Sequence, residues 1–312
     1  MPEWWIERGI GELRAVQVED GRIVEARIER EGVQPAGSVV AARLIKVGIQ
    51  ALAAADGVEY LLPKGAPGIT EGAPVSIEVT REGLSGIEPW KKPLARITDE
   101  APRAAPTLDG RPVSLSPKDA LAEAGWLDLL DEARSGVIAF AGGELRVALT
   151  AAMTVIDVDG HLPAAELAVA GARAAAKAIR RHGISGSIGV DLPTSGSKAA
   201  RTAAAQEIDE QLPQPFERTA VNGFGFVQIV RPRLRPSMFE LASDRAAFEA
   251  RALLRAASRE VGVIRLAAAP PVIDVLTARP DWIERLARHV GGRVELRSDR
   301  GLAMEAGHAS RA

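Results

Sequence analysis

Between residues 12 and 30 apolar and polar positions alternate, with Leu13, Val16, Val18, Ile23, Val24 and Ile28 set about a turn at Glu19-Asp20-Gly21. Period-two alternation around an Asp-Gly pair predicts a β-hairpin. After Pro35-Ala36-Gly37 the pattern changes to the short runs VVAARLIKV, IQALAAA, EYLLP, PVSIEVTRE and LARIT. Asp56-Gly57, Pro63-Lys64-Gly65, Pro67-Gly68 and Glu71-Gly72 separate them. Five short strands in this span predict a small closed barrel of the OB type, a fold that often holds single-stranded nucleic acid. A small β-domain used for protein contacts would show the same pattern.

Residues 99–118 are rich in Pro, Ala and Ser and read as a linker. A short helix is expected next, with Ser116 as N-cap, Pro117 at the first helical position and Asp119 in the first turn. The runs VIAFA and LRVALT, joined at Gly142-Gly143, predict a strand pair that feeds the stretch VALTAAMTVIDVDG. Residues 163–182 predict a long alanine-rich helix. Its basic tip of Lys177, Arg180, Arg181 and His182 is fully explained by the helix dipole, though it could also touch phosphate. Residues 241–312 predict helix, strand, helix and strand, followed by a disordered tail.

The chemistry concentrates where two of these strands end. Asp157 and Asp159 lie two positions apart, hence on one face of a strand that turns at Gly160. About thirty residues later Ser187, Ile188, Gly189, Val190 and Asp191 repeat the arrangement, a spacing that fits a strand–helix–strand unit. Parallel strands ending side by side would bring Asp157 and Asp191 together at the carboxyl edge of a sheet, where open α/β sheets bind ligands. Carboxylates that close repel unless a proton or a cation intervenes. A hard divalent cation is the expectation; turn or polar-contact residues are the plainer alternative. Arg231, Arg233 and Arg235 alternate with Pro232 and Pro236 just beyond a later strand. They read as a compact cationic site whose prolines hold the arginines out, against the alternative of a solvated loop. Lys198 follows a Gly-Ser loop, but no Gly-Lys-Ser/Thr is present, so a phosphate-cradling P-loop is rejected.

Composition narrows this only a little. The chain has 312 residues, 46% hydrophobic and 26% charged, which suits two or three modest globular domains. With a formal net charge of −2, any nucleic-acid contact must use a local basic patch. Cysteine is absent, which excludes disulfides and thiolate metal sites and is compatible with a cytoplasmic location. MPEWWIERG does not read as a secretory signal, and no apolar run reaches membrane-spanning length.

Several blocks resemble the ribonuclease E/G family of bacterial endoribonucleases. LRVALTAAMTVIDVDG resembles the family's strand ending in Ile-Asp-Val-Asn-Ser/Gly, and ISGSIGVDLP its Gly-Gly-Leu-Ile-Val-Ile-Asp-Phe. FGFVQIVRPRLRPS resembles Phe-Gly-Leu-Val-Glu-Met-Thr-Arg-Gln-Arg-Leu-Arg-Pro-Ser. IVEARIERE and residues 37–98, with ARIT for Ala-Arg-Leu-Thr, are similar to the family's first hairpin and inserted barrel; LAAAPPVIDVL and GGRVEL resemble its last small domain. The resemblance covers nearly the whole chain in divergent blocks.

It implies an α+β or α/β multi-domain protein. The expected order is a hairpin of the catalytic frame (1–36), an OB-fold RNA-binding barrel (37–98), a linker and short helix (99–135), a ribonuclease-H-like/deoxyribonuclease-I-like catalytic core (136–240) and a small α/β domain (241–312). It implies a Mg²⁺-dependent endoribonuclease acting on single-stranded RNA, with Asp157 and Asp191 as catalytic metal ligands. Asp159 stands where the family has a site-orienting Asn. Lys92 lies near the family's RNA-contacting lysine, Tyr60 near a base-stacking aromatic, and Ala53 where the other aromatic is lost. Arg231, Arg233 and Arg235 would hold the RNA backbone. The sensor of the RNA 5′-monophosphate is reduced to a linker and short helix, and the cysteine zinc link is missing, so any homodimer would form without zinc. A catalytically inactive RNA-binding scaffold on the same frame, and a DNA-directed nuclease, are the competing expectations.

Overall fold

A computed structural model describes residues 3–84, 90–115 and 118–311. The chain opens with an antiparallel ribbon of β1 (Glu3–Arg8), β2 (Glu12–Glu19) and β3 (Arg22–Arg30). Asp20 and Gly21 turn β2 into β3 with φ of 48° and 75°, the paired positive angles of a tight hairpin. Next, β4 (Val39–Lys46), β5 (Ala51–Ala55), β6 (Val58–Leu62), β7 (Pro74–Arg81) and β8 (Leu94–Thr98) close into a barrel in the order β4-β5-β6-β8-β7. Only the β6–β8 contact is parallel, so the barrel is OB-like.

β9 (Arg111–Pro112) pairs in parallel with β1, and α1 (Ala120–Glu123) and α2 (Trp126–Ser135) follow. The expected helix start at Ser116 and Pro117 lies outside the described residues. Asp119 is itself the cap, its carboxylate accepting from the Ala122 amide at 2.9 Å. The chain then builds a six-stranded mixed sheet from β10 (Val137–Phe140), β11 (Gly143–Leu149), β12 (Thr154–Gly160), β13 (Gly186–Asp191), β14 (Glu217–Arg218) and β15 (Phe226–Arg231). Its order is β10-β11-β12-β13-β15-β14. Helix α3 (Ala164–Arg181) crosses from β12 to β13, and α4 (Lys198–Gln211) follows β13. The last part holds α5 (Met238–Ser243), α6 (Arg245–Ala257), β16 (Ile264–Ala268), α7 (Pro270–Thr277), α8 (Pro280–Val290), β17 (Val294–Ser298) and β18 (His308–Arg311). The tail expected to be disordered instead supplies β18, which pairs antiparallel with β16. Among the described residues no helix is long and apolar enough to cross a membrane.

Two compact units result, and they cut across the sequential boundaries read above. One comprises Met1–Glu31, Asp109–Arg134 and Leu241–Ala312; the other comprises Gly32–Leu108 and Ser135–Glu240. The amino-terminal hairpin, expected in the catalytic frame, belongs with the carboxy-terminal α/β part. Residues 109–134, read as the end of the linker and the short helix, belong to that same unit.

Buried charge explains the first grouping. The Arg255 guanidinium donates twice to Glu7, at 2.9 Å each, and to Asp119 at 2.7 Å, while Arg14 donates to Glu7 at 2.7 Å. All four side chains are more than nine-tenths buried. Residues from β1, β2, the start of α1 and α6 thus neutralise one another. Removing one partner would leave a buried charge uncompensated. Burial alone would raise the Asp119 pKa, but hydrogen bonds from Arg255 and the Ala122 amide, with the charges of Arg255 and Arg259, hold it below the usual value. A depressed carboxylate contributes stability above its unfolded pKa, and that contribution is lost as pH falls through the folded value. Asp119→Ala should therefore cost roughly 3–5 kcal/mol at pH 7. The deficit should shrink when denaturation is repeated below about pH 4.

In the second unit Ile156, Val158, Ile188, Val190, Val227 and Ile229 turn to one face of the sheet and pack against α3 and α4. Contact with α3 is close: a Cβ on Gly171 would lie 2.3 Å from Val158 Cγ1. Gly171→Val should therefore lower stability by about 1–3 kcal/mol through overpacking, read by urea denaturation.

Candidate acidic site on the sheet

Where one face of the sheet is packed, the other carries the chemistry. Along β12 the buried Thr154, Ile156 and Val158 alternate with Val155, Asp157 and Asp159, the first two half-buried and Asp159 exposed. On β13 Ile188 and Val190 are buried, and Asp191 points with Gly189 to the opposite side and is exposed. The strands run parallel, and in their register Asp157 is the partner of Asp191. The carboxylates expected to meet at the carboxyl edge are therefore abreast on neighbouring strands.

The third neighbour was not anticipated. β11 pairs with β12 so that Arg146 stands opposite Asp157 and Glu144 opposite Asp159. Arg146 bonds Glu144 at 2.6 Å and approaches Asp159 at 3.8 Å. One face thus brings together Glu144, Asp157, Asp159 and Asp191 with the Arg146 guanidinium among them. The register follows from the four residues 150–153 that turn β11 into β12, where Thr150 Oγ1 accepts from the Ala152 and Met153 amides. Only that turn could have revealed Arg146 in advance.

Burial, then the charges of Asp159 and Asp191, raise the Asp157 pKa above the ordinary aspartate value, against the Val158 amide and Arg146, which lower it. All donors here are oxygens, as a hard cation requires. Among the described residues, however, no three His, Cys, Asp or Glu side chains converge as a ready-made cage. What the face offers a hard cation is the pair of neighbouring carboxylates Asp157 and Asp191.

Aromatic rings flank this face. Phe226 is the β15 partner of Asp191, and its ring lies over Gly189, where a Cβ would sit 2.6 Å from Phe226 Cζ. Phe224 is 79% exposed, on a turn held by Asn222, whose side-chain oxygen accepts from the Phe224 and Phe226 amides. On the barrel Trp90 is 69% exposed beside Lys91 and Lys92. Sequence reading passed over all three. The Trp-Lys-Lys triplet was the available signal in a chain with 4% aromatics.

Other expectations need correcting. Tyr60 is 2% exposed in the barrel core with Leu44, Leu62 and Ile77, and burial followed by Asp56 raises its phenol pKa. It packs the barrel and offers no ring for stacking. Its register partner Ala53 is also buried. Lys92 is half-exposed and ion-paired with Glu59 at 2.6 Å. The arginines of the proline loop are not held out: Arg231 donates to the Ile184 carbonyl at 3.0 Å, Arg233 is paired with Glu240, and Arg235 is half-buried and also engaged. Nor are they beside the aspartates. β15 runs antiparallel to β13 with Arg231 opposite Gly186, so the loop leaves from the far end of the strand, roughly 17 Å from Asp191 at 3.3 Å per residue. A cavity of about 270 Å³ lies at that same end, lined by Lys91, Met153, Ser185, Ser187 and Arg233 among others, not at the carboxylates.

A raised carboxyl pKa means that the folded chain holds the Asp157 proton more tightly than the unfolded chain. Its ionisation therefore subtracts stability as pH rises through the folded value. Asp157→Asn should raise the denaturation midpoint of the metal-free protein at pH 7 and change it little near pH 3, where the native carboxyl is mostly protonated. Comparing urea midpoints at the two pH values checks this.

No protein-family model matches the chain, and no curated protein sequence matches it either.

Proposed function

We propose that the chain is a Mg²⁺-dependent endoribonuclease that hydrolyses single-stranded RNA to 5′-phosphate and 3′-hydroxyl ends. The observation that carries this reading is the parallel register that sets Asp157 beside Asp191 on the exposed face of the sheet. The blocks that resemble ribonuclease E/G add support, because IDVDG, GSIGVD and FVQIVR form β12, β13 and β15, three consecutive neighbours in one sheet. Asp157 and Asp191 would hold the cation, with Asp159 reaching it directly or through water. When bound, Mg²⁺ polarises a phosphate oxygen and activates water at neutral pH. Water then adds to phosphorus, the bond to the 3′ oxygen breaks, and that oxygen leaves with a proton. Phe224 supplies an exposed ring on which a neighbouring base can stack. Trp90 offers a second exposed ring on the barrel, and Lys92 would exchange Glu59 for phosphate. The setting would be RNA processing or decay in the cytoplasm; a homodimer, if one forms, has no cysteine for a zinc link.

One observation favours a second reading, an inactive RNA-binding scaffold on the same frame. Asp159 adds a negative charge where the resembled family has an amide, and Arg146 lies within 4 Å of it. Incubation of 5′-labelled, unstructured A/U-rich RNA with and without Mg²⁺ separates the two. Cleavage that requires Mg²⁺ is expected. Asp157→Asn and Asp191→Asn should each lower it about a thousandfold, the equivalent of several kcal/mol of charge stabilisation, while both proteins stay folded. Binding without cleavage in Mg²⁺ would leave the scaffold standing, and equal activity on a DNA copy would indicate a DNA-directed enzyme.

A further inference from the structure

The unit formed by the chain's two ends holds a cavity of about 670 Å³ that the aspartate pair does not involve. Its volume falls within the range of small-molecule sites, about 300–1,000 Å³. Its apolar lining includes Ile6, Ile10, Val113 and Leu115. The remainder presents five guanidinium groups, of Arg8, Arg14, Arg255, Arg285 and Arg288, against the single carboxylate of Glu7. Glu7, with Glu12, Asp119 and Glu31 behind the lining, offsets Arg14, Arg255 and Arg285, so the charge that sets the sign of the ligand is that of Arg8 and Arg288. Both Glu7 oxygens are already used: Oε1 accepts from Arg14 and Arg255 at 2.7 and 2.9 Å, and Oε2 accepts from Arg255 at 2.9 Å.

Two of the arginines are built into the fold. Arg14 is 1% and Arg255 6% exposed, and each is held by carboxylates on more than one side, Glu7 and Glu12 for the first, Glu7 and Asp119 for the second. Arg285 is anchored on Glu31 at 2.7 Å. Arg8 and Arg288, both exposed, have no carboxylate partner among the described residues, so their charge is available to a ligand. Arg285, fixed by Glu31, loses little freedom on gripping a phosphate, and the guanidiniums of Arg8 and Arg288 can meet it with paired donors.

We propose that this cavity binds a phosphate-bearing small molecule of nucleotide size, its planar or apolar body against Ile10 and Val113 and its phosphates among Arg8, Arg285 and Arg288. This site is independent of the proposed nuclease centre. The test is calorimetric titration of the full chain at low salt with adenosine 5′-diphosphate, pyrophosphate and uncharged adenosine. Saturable binding of the diphosphate is expected, weaker binding of pyrophosphate, and none of adenosine. Arg8→Ala/Arg288→Ala removes only exposed side chains without carboxylate partners and should leave the melting temperature unchanged while weakening the diphosphate at least about tenfold. Asp157→Asn should leave it unaffected, which separates failure here from failure of the nuclease reading. The proposal is overturned if neither phosphate compound binds, if adenosine binds equally well, or if the double variant binds as the parent does. Binding of an RNA oligomer where the diphosphate does not bind also overturns it, in favour of a nucleic-acid surface.

Discussion

The parallel pairing of β12 with β13 is the constraint on which the second unit depends. It demands a crossover, and the alanine-rich α3 supplies one that lies close enough to the sheet for Gly171 to meet Val158 with no room for a Cβ. The same pairing buries Ile156 and Val190 on the helix side, and strand alternation then places Asp157 and Asp191 on the other. Hydrophobic burial on one face is thus what holds two like charges together on the opposite face. The core enforces their register, and burial, then the charges of Asp159 and Asp191, raise the Asp157 pKa.

Much of this was legible because its signals are local. Alternation and Asp-Gly pairs marked the ribbon and the barrel, and Asp20 and Asp56 do take positive φ ahead of their glycines. Two strands ending in aspartate, one helix apart, placed the acid pair. What escaped depends on pairing between distant segments. The role of Glu7 becomes visible only when Arg255, 248 residues later, is set against it, so the grouping of the two chain ends could not be read from either alone. β18 lacks an apolar run and is a strand because β16 offers it an edge. Tyr60 falls near a base-stacking position of the resembled family, but barrel closure turns it inward.

The arginine loop shows the same limitation in reverse. Its composition announced a cationic surface, and prolines seemed to guarantee exposure, yet Ile184's carbonyl and Glu240 take up the guanidiniums. A buried carboxylate such as Glu240 needs a cation, and the loop provides it. Those arginines therefore serve first to join the loop to the fold, and Arg146, on a strand with no basic run, is the guanidinium that the sheet brings to the acidic face.

Separation of charge along β13 also bears on how RNA would be held. At one end of the sheet stand Lys91 and the Arg233–Glu240 pair; at the other stand Asp157, Asp159 and Asp191. A phosphodiester near three carboxylates and one paired guanidinium meets net repulsion, so the acidic end cannot attract RNA unaided. On the proposed reading Asp157 and Asp191 would hold a divalent cation, whose charge would offset that repulsion. On the same proposal, a protein serving only as a scaffold would bind RNA without that cation, indifferent to Mg²⁺ except through screening. Dependence of affinity on Mg²⁺ at fixed ionic strength therefore distinguishes a functional acid pair from a relic before any cleavage is measured.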